Sequence, residues 1–264
     1  MQVYKINNYS QNSYSPKFTS IYRDVYAGKN IKHRNVSWMF RPSLYECKNF
    51  YRYISDTFKD VKKVNVYNYA CSLGYEAYSF ILGMFSCREI HPEKFFPIVA
   101  KDYDEIIIEN AEKHLIPLDD NEINQIGKIL DKKYPISDFL DLFNKNSSYE
   151  SYLDKLVAEG STLGAAEKKL TDNVRFSVAD LRTDYKNIEH HNSIVLATNF
   201  WPYMLDEDRY SLAKNLSEQM EQNSYIKIDT FDNGPHLGKT FVSTAELLLQ
   251  NGFKPTPVLN LFKK

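Results

Sequence analysis

The stretch VNVYNYACSLGYEAYSFILGM, residues 64–84, constrains the fold more than any other part of the chain. Val64, Val66, Tyr67 and Tyr69 form an apolar, β-prone run. A short turn around Gly74 follows, and a helix-prone segment then opens with Glu76 in its first turn. Strand, glycine turn and helix start make the corner of an open α/β sheet at which a ligand lies across the carboxyl end of the first strand. One glycine is not the GxGxxG fingerprint, and no lysine follows to make a P-loop. The turn therefore suits a ligand with no phosphates to cradle, of which S-adenosylmethionine is the common example. On spacing alone, an ordinary βα corner of a structural sheet reads these residues equally well.

A second apolar run, Phe96-Pro97-Ile98-Val99-Ala100, ends in Lys101-Asp102-Tyr103-Asp104. An acidic residue at the tip of the second strand of a βαβ unit is placed to accept hydrogen bonds from ribose hydroxyls. Its separation from Gly74 exceeds the usual ~20 residues, and the extra loop 86–96 accounts for the excess. A lone Asp after a strand is also a common helix N-cap. Asp102 and Asp104 divide the two jobs, ligand for the first and cap for the second.

The 264 residues suffice for one α/β domain with room for an accessory segment. A hydrophobic content of 43% with 25% charged residues excludes a disordered chain, and a formal net charge of −1 provides no field to recruit nucleic acid or an anionic membrane. No apolar run approaches the ~18 residues of a membrane span. The first residues, MQVYKINNYSQNSYSPK, lack the apolar core of a signal peptide, so the expected compartment is the cytoplasm. Cys47, Cys71 and Cys87 form no CxxC pair, and the six histidines form no HxxxH or HExxH pattern, so neither a disulfide framework nor a metal site is expected. Cys71, within the ligand turn, reads as a small packed residue rather than a nucleophile.

Residues 1–35 read as an irregular arm with a short helix near 18–27, and 43–58 as an amphipathic helix facing the core. After two βα units, the stretch 119–172 reads as an insertion with helices of its own. Strands are expected at 174–178, 193–198 and 225–230, helices at 205–222 and 241–250, and a closing edge strand at 257–262. Such alternation predicts a Rossmann-like α/β fold, a mostly parallel sheet with helices on both faces. The expected division is an N-terminal arm and helix over 1–62 and a cofactor-binding domain over 63–264.

Four segments in order resemble the chemotaxis-receptor glutamate methyltransferase (CheR) family of class I S-adenosylmethionine-dependent methyltransferases. ACSLGYEAYS resembles that family's ligand turn, matching Ala70, Cys71, Ser72, Gly74, Glu76, Tyr78 and Ser79, while Tyr75 and Ala77 replace the usual Glu and Pro. AKDYD is similar to its ATDID, ATNFWPYM to its CRNVxIYF, and NVSWMFR to its N-x-T-x-F-F-R. The resemblance implies S-adenosylmethionine as cofactor, held by Asn35, Ser37, Arg41, Ala70, Ser72, Gly74, Glu76, Asp102, Tyr103, Thr198 and Asn199. It adds Asp180 and Leu181 beside the adenine, with the Asp180 carboxylate suited to accept from the amino group. Arg41 and Tyr203 are the implied acceptor contacts. Otherwise Arg41 is a surface arginine with its stem on Phe40, and Tyr203 a packed aromatic at a helix start. Phe200 and Trp201 are expected to stack on adenine or to wall the acceptor pocket. The family's N-terminal helical domain is reduced to a short arm, and its small β-subdomain is not visible, a helical insertion standing in its approximate place.

Methyl transfer from a sulfonium is an in-line displacement, so the protein chiefly positions and desolvates the reactants. A carboxylate acceptor is ionised near neutral pH and needs no general base, which fits motifs that contain no histidine. The expected activity is O-methylation of a carboxylate of the protein glutamate type. Two other readings stand beside it: a catalytically inactive S-adenosylmethionine- or S-adenosylhomocysteine-binding sensor or scaffold, and a small-molecule methyltransferase. Nucleic acid is not expected as a partner, because neither a basic patch nor an Asn/Asp-Pro-Pro-Tyr/Phe tetrad is present.

Overall fold

The computed structural model describes residues 44–86, 91–118, 143–145, 162–166, 168–234 and 242–264. The N-terminal arm, with Asn35, Ser37 and Arg41, lies outside the described residues, as does most of the 119–172 stretch.

β1 (Asn65–Tyr69), β2 (Ile98–Asp102), β6 (Val174–Val178), β7 (Ser193–Ala197) and β8 (Tyr225–Lys227) run parallel in one sheet. The seven-stranded order is β6-β2-β1-β7-β8-β10-β9, with β10 (Leu261–Lys263) antiparallel to both β8 and β9 (Lys254–Pro255). Val64 and Val66 face one apolar layer and Tyr67 and Tyr69 the other, as the two-residue period of a strand dictates. A strand covered on both faces reads as a mostly apolar run, which is why this segment stands out in the sequence. Strand order reverses between β1 and β7, and the crevice beyond their carboxyl ends is where such sheets bind ligands.

One layer is built by α1 (Leu44–Thr57) and α2 (Tyr75–Ser86), whose Phe50, Ile54, Phe80 and Ile81 pack with Ile98 and Leu196. Gly83 admits the close approach of these helices: a Cβ there would lie 2.5 Å from the Tyr51 ring. The other layer is built by α6 (Asp206–Gln219) and α7 (Thr244–Gln250), with Leu212, Leu216 and Leu248 packed against Val195 and Ile226. α3 (Glu105–Ala111) starts at Asp104, whose side chain accepts from the Ile106 amide at 3.0 Å, so the expected division of labour with Asp102 holds for the cap. No helix among the described residues is long and apolar enough to cross a membrane.

Two expectations are corrected. The closing strand is internal rather than an edge: β10 inserts between β8 and β9, and the edge falls to β9, where Pro255 has no ladder bond to lose. Within the stretch read as helical, the described residues include two strands, β4 (Phe143–Lys145) and β5 (Thr162–Ala166), which join β3 (Leu115–Leu118) in a three-stranded antiparallel sheet, and one helix, α4 (Lys168–Thr171). The Leu163–Ala166 segment looks helical by propensity, but Gly164 weakens a helix there. Pairing with both β3 and β4 then decides the conformation.

Candidate active site

The turn leaving β1 is held in an uncommon conformation. Ala70 (φ +53°), Ser72 (φ +51°) and Gly74 (φ +94°) all occupy the positive-φ region. For a residue with a Cβ this costs about 1–2 kcal/mol, so neighbouring groups must over-determine it. Asp102, at the end of β2, supplies the main restraint. Its Oδ2 accepts from the Ser72 amide at 3.0 Å and its Oδ1 from the Asp104 amide at 3.1 Å. The Cys71 amide donates to Lys101 O at 3.0 Å, and the Gly74 amide closes the turn onto Cys71 O at 2.8 Å. At Gly74 a Cβ would meet Phe176 Cζ at 2.7 Å and the Tyr78 ring at 3.0 Å, so both the dihedral and the space demand glycine. Desolvation raises the Asp102 carboxyl above the ordinary carboxylate range, partly offset by the amides that donate to it. The Cys71 thiol is fully buried and pushed well up by desolvation and by Asp102, which agrees with a packed residue rather than a nucleophile.

A polar relay crosses the carboxyl ends of β1, β7 and β8. Asn68 Nδ2 donates to Glu76 Oε2 at 3.0 Å, and the Thr198 hydroxyl donates to Glu76 Oε1. Asn199 Nδ2 then donates to Thr198 Oγ1 at 3.2 Å. Asn199 itself sits at φ +64°, and its amide donates to Asp232 Oδ2 at 3.0 Å. Beside the relay lies a pocket walled by Phe50, Tyr51, Phe80, Leu196 and Ile228, with Glu76, Ser79, Thr198, Lys227 and Asp229 as its polar lining. Asp232 is completely buried, and desolvation pushes its carboxyl up to about 8 against the pull of the Asp229 and Asn199 amides.

The other implied residues are more dispersed. Tyr103 is half-buried next to Asp102, and Leu181 is buried at the start of α5 (Leu181–Asp184). Asp180 caps α5 and binds Arg182 in a bidentate pair, Nε to Oδ1 at 3.0 Å and Nη2 to Oδ2 at 2.5 Å. Arg182 also reaches Asp208 at 3.2 Å. Tyr203 closes a 3-10 turn, Trp201–Tyr203, with its ring 5.9 Å from that of Phe231. Trp201 is fully buried with Nε1 donating to Ala197 O at 2.8 Å, and Phe200 stacks on it at 5.3 Å. The Trp201 ring packs in the apolar layer with Val195 and Leu212.

Three residues escaped the reading of the sequence. Lys227 lines the pocket with Asp229, and Asp232 ties down Asn199. The available signal was Lys227 itself, a charged residue inside the apolar run YIKI of a strand buried on both faces.

The sheet order with its reversed β10, the positive-φ turn after β1 and the carboxylate ending β2 together define the class I S-adenosylmethionine-dependent methyltransferase fold. The chain belongs to the CheR methyltransferase family, matching its S-adenosylmethionine-binding domain over residues 35–239. It is an S-adenosylmethionine-dependent methyltransferase, and the residues present suit that cofactor. The turn leaves no room for a Cβ at Gly74, and the buried Oδ1 atoms of Asn68 and Asn199 have no hydrogen-bond partner among the described residues. Among curated proteins none matches the sequence. Solved structures with a similar chain path include a TehB-like S-adenosylmethionine-dependent methyltransferase from Corynebacterium glutamicum (12% identity, TM-score 0.41, covering 94% of this chain and 96% of that one). Another is the magnesium protoporphyrin IX methyltransferase of Synechocystis (10% identity, TM-score 0.42, covering 93% and 96%).

Proposed function

We propose that this enzyme O-methylates a carboxylate, carried by a protein side chain of the glutamate type. The observation that carries the reading is the pocket at the ends of β7 and β8. It combines an aromatic wall with a single buried ammonium, Lys227, and has no histidine among its described lining residues. A carboxylate acceptor is already ionised and asks only for orientation and a counter-charge. An amine or hydroxyl acceptor would need a base to take its proton.

The bound cofactor supplies an electrophilic methyl group on a sulfonium. Asp102 accepts from the ribose hydroxyls, Glu76 receives the cofactor's amino group, and Asn199, Thr198, Ala70, Ser72 and Gly74 shape the methionine end. Tyr103, Asp180 and Leu181 line the adenine, with Asn35 and Ser37 completing the cofactor contacts. Arg41 and Lys227 hold the acceptor carboxylate, Arg41 through a bidentate contact, and Tyr203 orients it. Phe50, Tyr51 and Phe80 exclude water, which strengthens these charge contacts.

A carboxyl methyl ester is labile to mild base, whereas N-methyl products are stable. Lysate proteins and metabolites incubated with the enzyme and labelled S-adenosylmethionine should yield protein-bound label that mild base releases as methanol. Label that survives base refutes the carboxylate, and label confined to metabolites refutes the protein acceptor. Arg41→Ala should abolish turnover while sparing cofactor affinity. Collapse of cofactor binding would assign Arg41 to the cofactor carboxylate instead.

A further inference from the structure

Asp232 lies outside every motif that resembles the family, in a segment whose sequence reads only as a turn. Its side chain nevertheless joins two strands. Oδ2 accepts from the Asn199 amide, just past β7, at 3.0 Å and from the Asp229 amide, just past β8, at 2.8 Å. The Thr244 hydroxyl at the start of α7 donates to the Asp232 carbonyl oxygen at 2.6 Å, fixing the 3-10 segment Thr230–Asn233 from behind. The carboxyl group is completely buried, and its Oδ1 has no hydrogen-bond partner among the described residues. A buried carboxyl group in so poor an environment is costly unless what it holds matters.

What it holds is Asn199 in a conformation that a residue with a Cβ adopts reluctantly. With its amide pinned, Asn199 directs Nδ2 onto Thr198 Oγ1, and Thr198 in turn orients the Glu76 carboxylate. Thr198 and Glu76 both line the pocket.

We infer that Asp232 is a positioning residue of the methyltransferase site: by clamping the ends of β7 and β8 together it sets the Asn199–Thr198–Glu76 relay in register for the cofactor. It touches neither cofactor nor acceptor and acts through Asn199. The inference rests on the reading of Asn199 as a cofactor contact given above.

The test is a double-mutant cycle read by calorimetric titration with S-adenosylhomocysteine, alongside thermal melting. Asp232→Ala should weaken binding about tenfold, Asn199→Ala should weaken it as well, and the double variant should bind no more weakly than Asn199→Ala alone. Asp232→Asn keeps an oxygen that accepts both amides and should bind within about twofold of the wild type. Should Asp232→Ala fail to fold, Asp232→Ser, whose hydroxyl is too short to reach both amides, replaces it in the cycle. A residue that serves only stability would lower the melting temperature while leaving affinity unchanged, or would add its effect to that of Asn199→Ala, and either result overturns the inference. Unchanged affinity in Asn199→Ala would instead remove the cofactor role of Asn199, a separate failure that the single variant reveals.

Discussion

Asp102 offers the sharpest test of the cofactor site, because its two oxygens are committed in opposite directions. Oδ2 receives the Ser72 amide and Oδ1 the Asp104 amide, so the carboxylate pins a left-handed residue of the ligand turn while its remaining lone pairs stay available for the proposed ribose contact. Asp102→Asn is therefore not conservative: whichever way the amide is flipped, its NH2 group faces a backbone donor. Hydrogen bonds to a charged acceptor contribute about 1.5–3 kcal/mol. Asp102→Ala should accordingly weaken S-adenosylhomocysteine binding about ten- to a hundredfold, and Asp102→Asn should sit close to it. Titration calorimetry reads the affinity, and thermal melting separates loss of the site from loss of the fold. An analogue lacking the ribose 2′-hydroxyl adds a control: the wild type should bind it more weakly than the parent ligand, and Asp102→Ala should not distinguish the two. Burial holds this carboxyl above the ordinary range, so affinity should begin to fall, as pH is lowered, at a higher pH than a solvated aspartate would give. A folded Asp102→Ala protein with wild-type affinity would reduce the residue to a turn restraint and refute the ribose assignment.

Three further outcomes follow from the site. Gly74→Ala should lower stability and cofactor affinity through dihedral strain and the 2.7 Å approach to Phe176 Cζ, and adding Phe176→Leu should restore only the steric part of the melting temperature. Asp232 is held up to about 8, so between about pH 4 and pH 8 the folded protein binds a proton that the unfolded chain has lost, and stability falls as pH rises through that window. The charges in play around it are Asp229, Glu76 and Arg209. Against Asp232→Asn, the wild type should lose on the order of several kcal/mol between those limits, read as a shift of the urea midpoint, and parallel pH profiles would refute it. Lys227→Met should suppress methyl transfer to the base-labile product while leaving S-adenosylhomocysteine affinity within about twofold, and unchanged turnover would remove the ammonium from the acceptor contact.

The ligand corner was legible because its physics is local. A strand covered on both faces is mostly apolar, a tight turn against Phe176 must have a glycine, and a helix start favours an acidic residue such as Glu76. Asp104 was legible as a cap for the same reason, since its partner is two residues away. The places where local reasoning failed are those decided by distant partners. Thr162–Ala166 has helix-compatible composition and becomes a strand only because Leu115–Leu118 and Phe143–Lys145 flank it. The insertion of β10 between β8 and β9 depends on pairings with Tyr225–Lys227 and Lys254–Pro255 that no window of the sequence contains.

The same distinction separates the two halves of the site. The half proposed for the cofactor, Ala70 to Glu76 with Asp102, is built from two adjacent βα corners, and each carries its own sequence signature. The pocket proposed for the acceptor is lined by Thr198, Lys227 and Asp229, from the ends of two strands, with Phe50 and Tyr51 brought in by a helix that precedes the sheet. No spacing rule links these residues, and a motif search finds Asn199 without finding the carboxyl group that holds it. Asp232 reads as part of a turn because Asp-Asn-Gly is turn chemistry, and the segment is indeed a 3-10 turn. Its second role arises only when β7 and β8 end side by side and two amides, one of them in the left-handed region, converge on a single oxygen. The clamp on Asn199 is therefore a product of the sheet's topology more than of any motif.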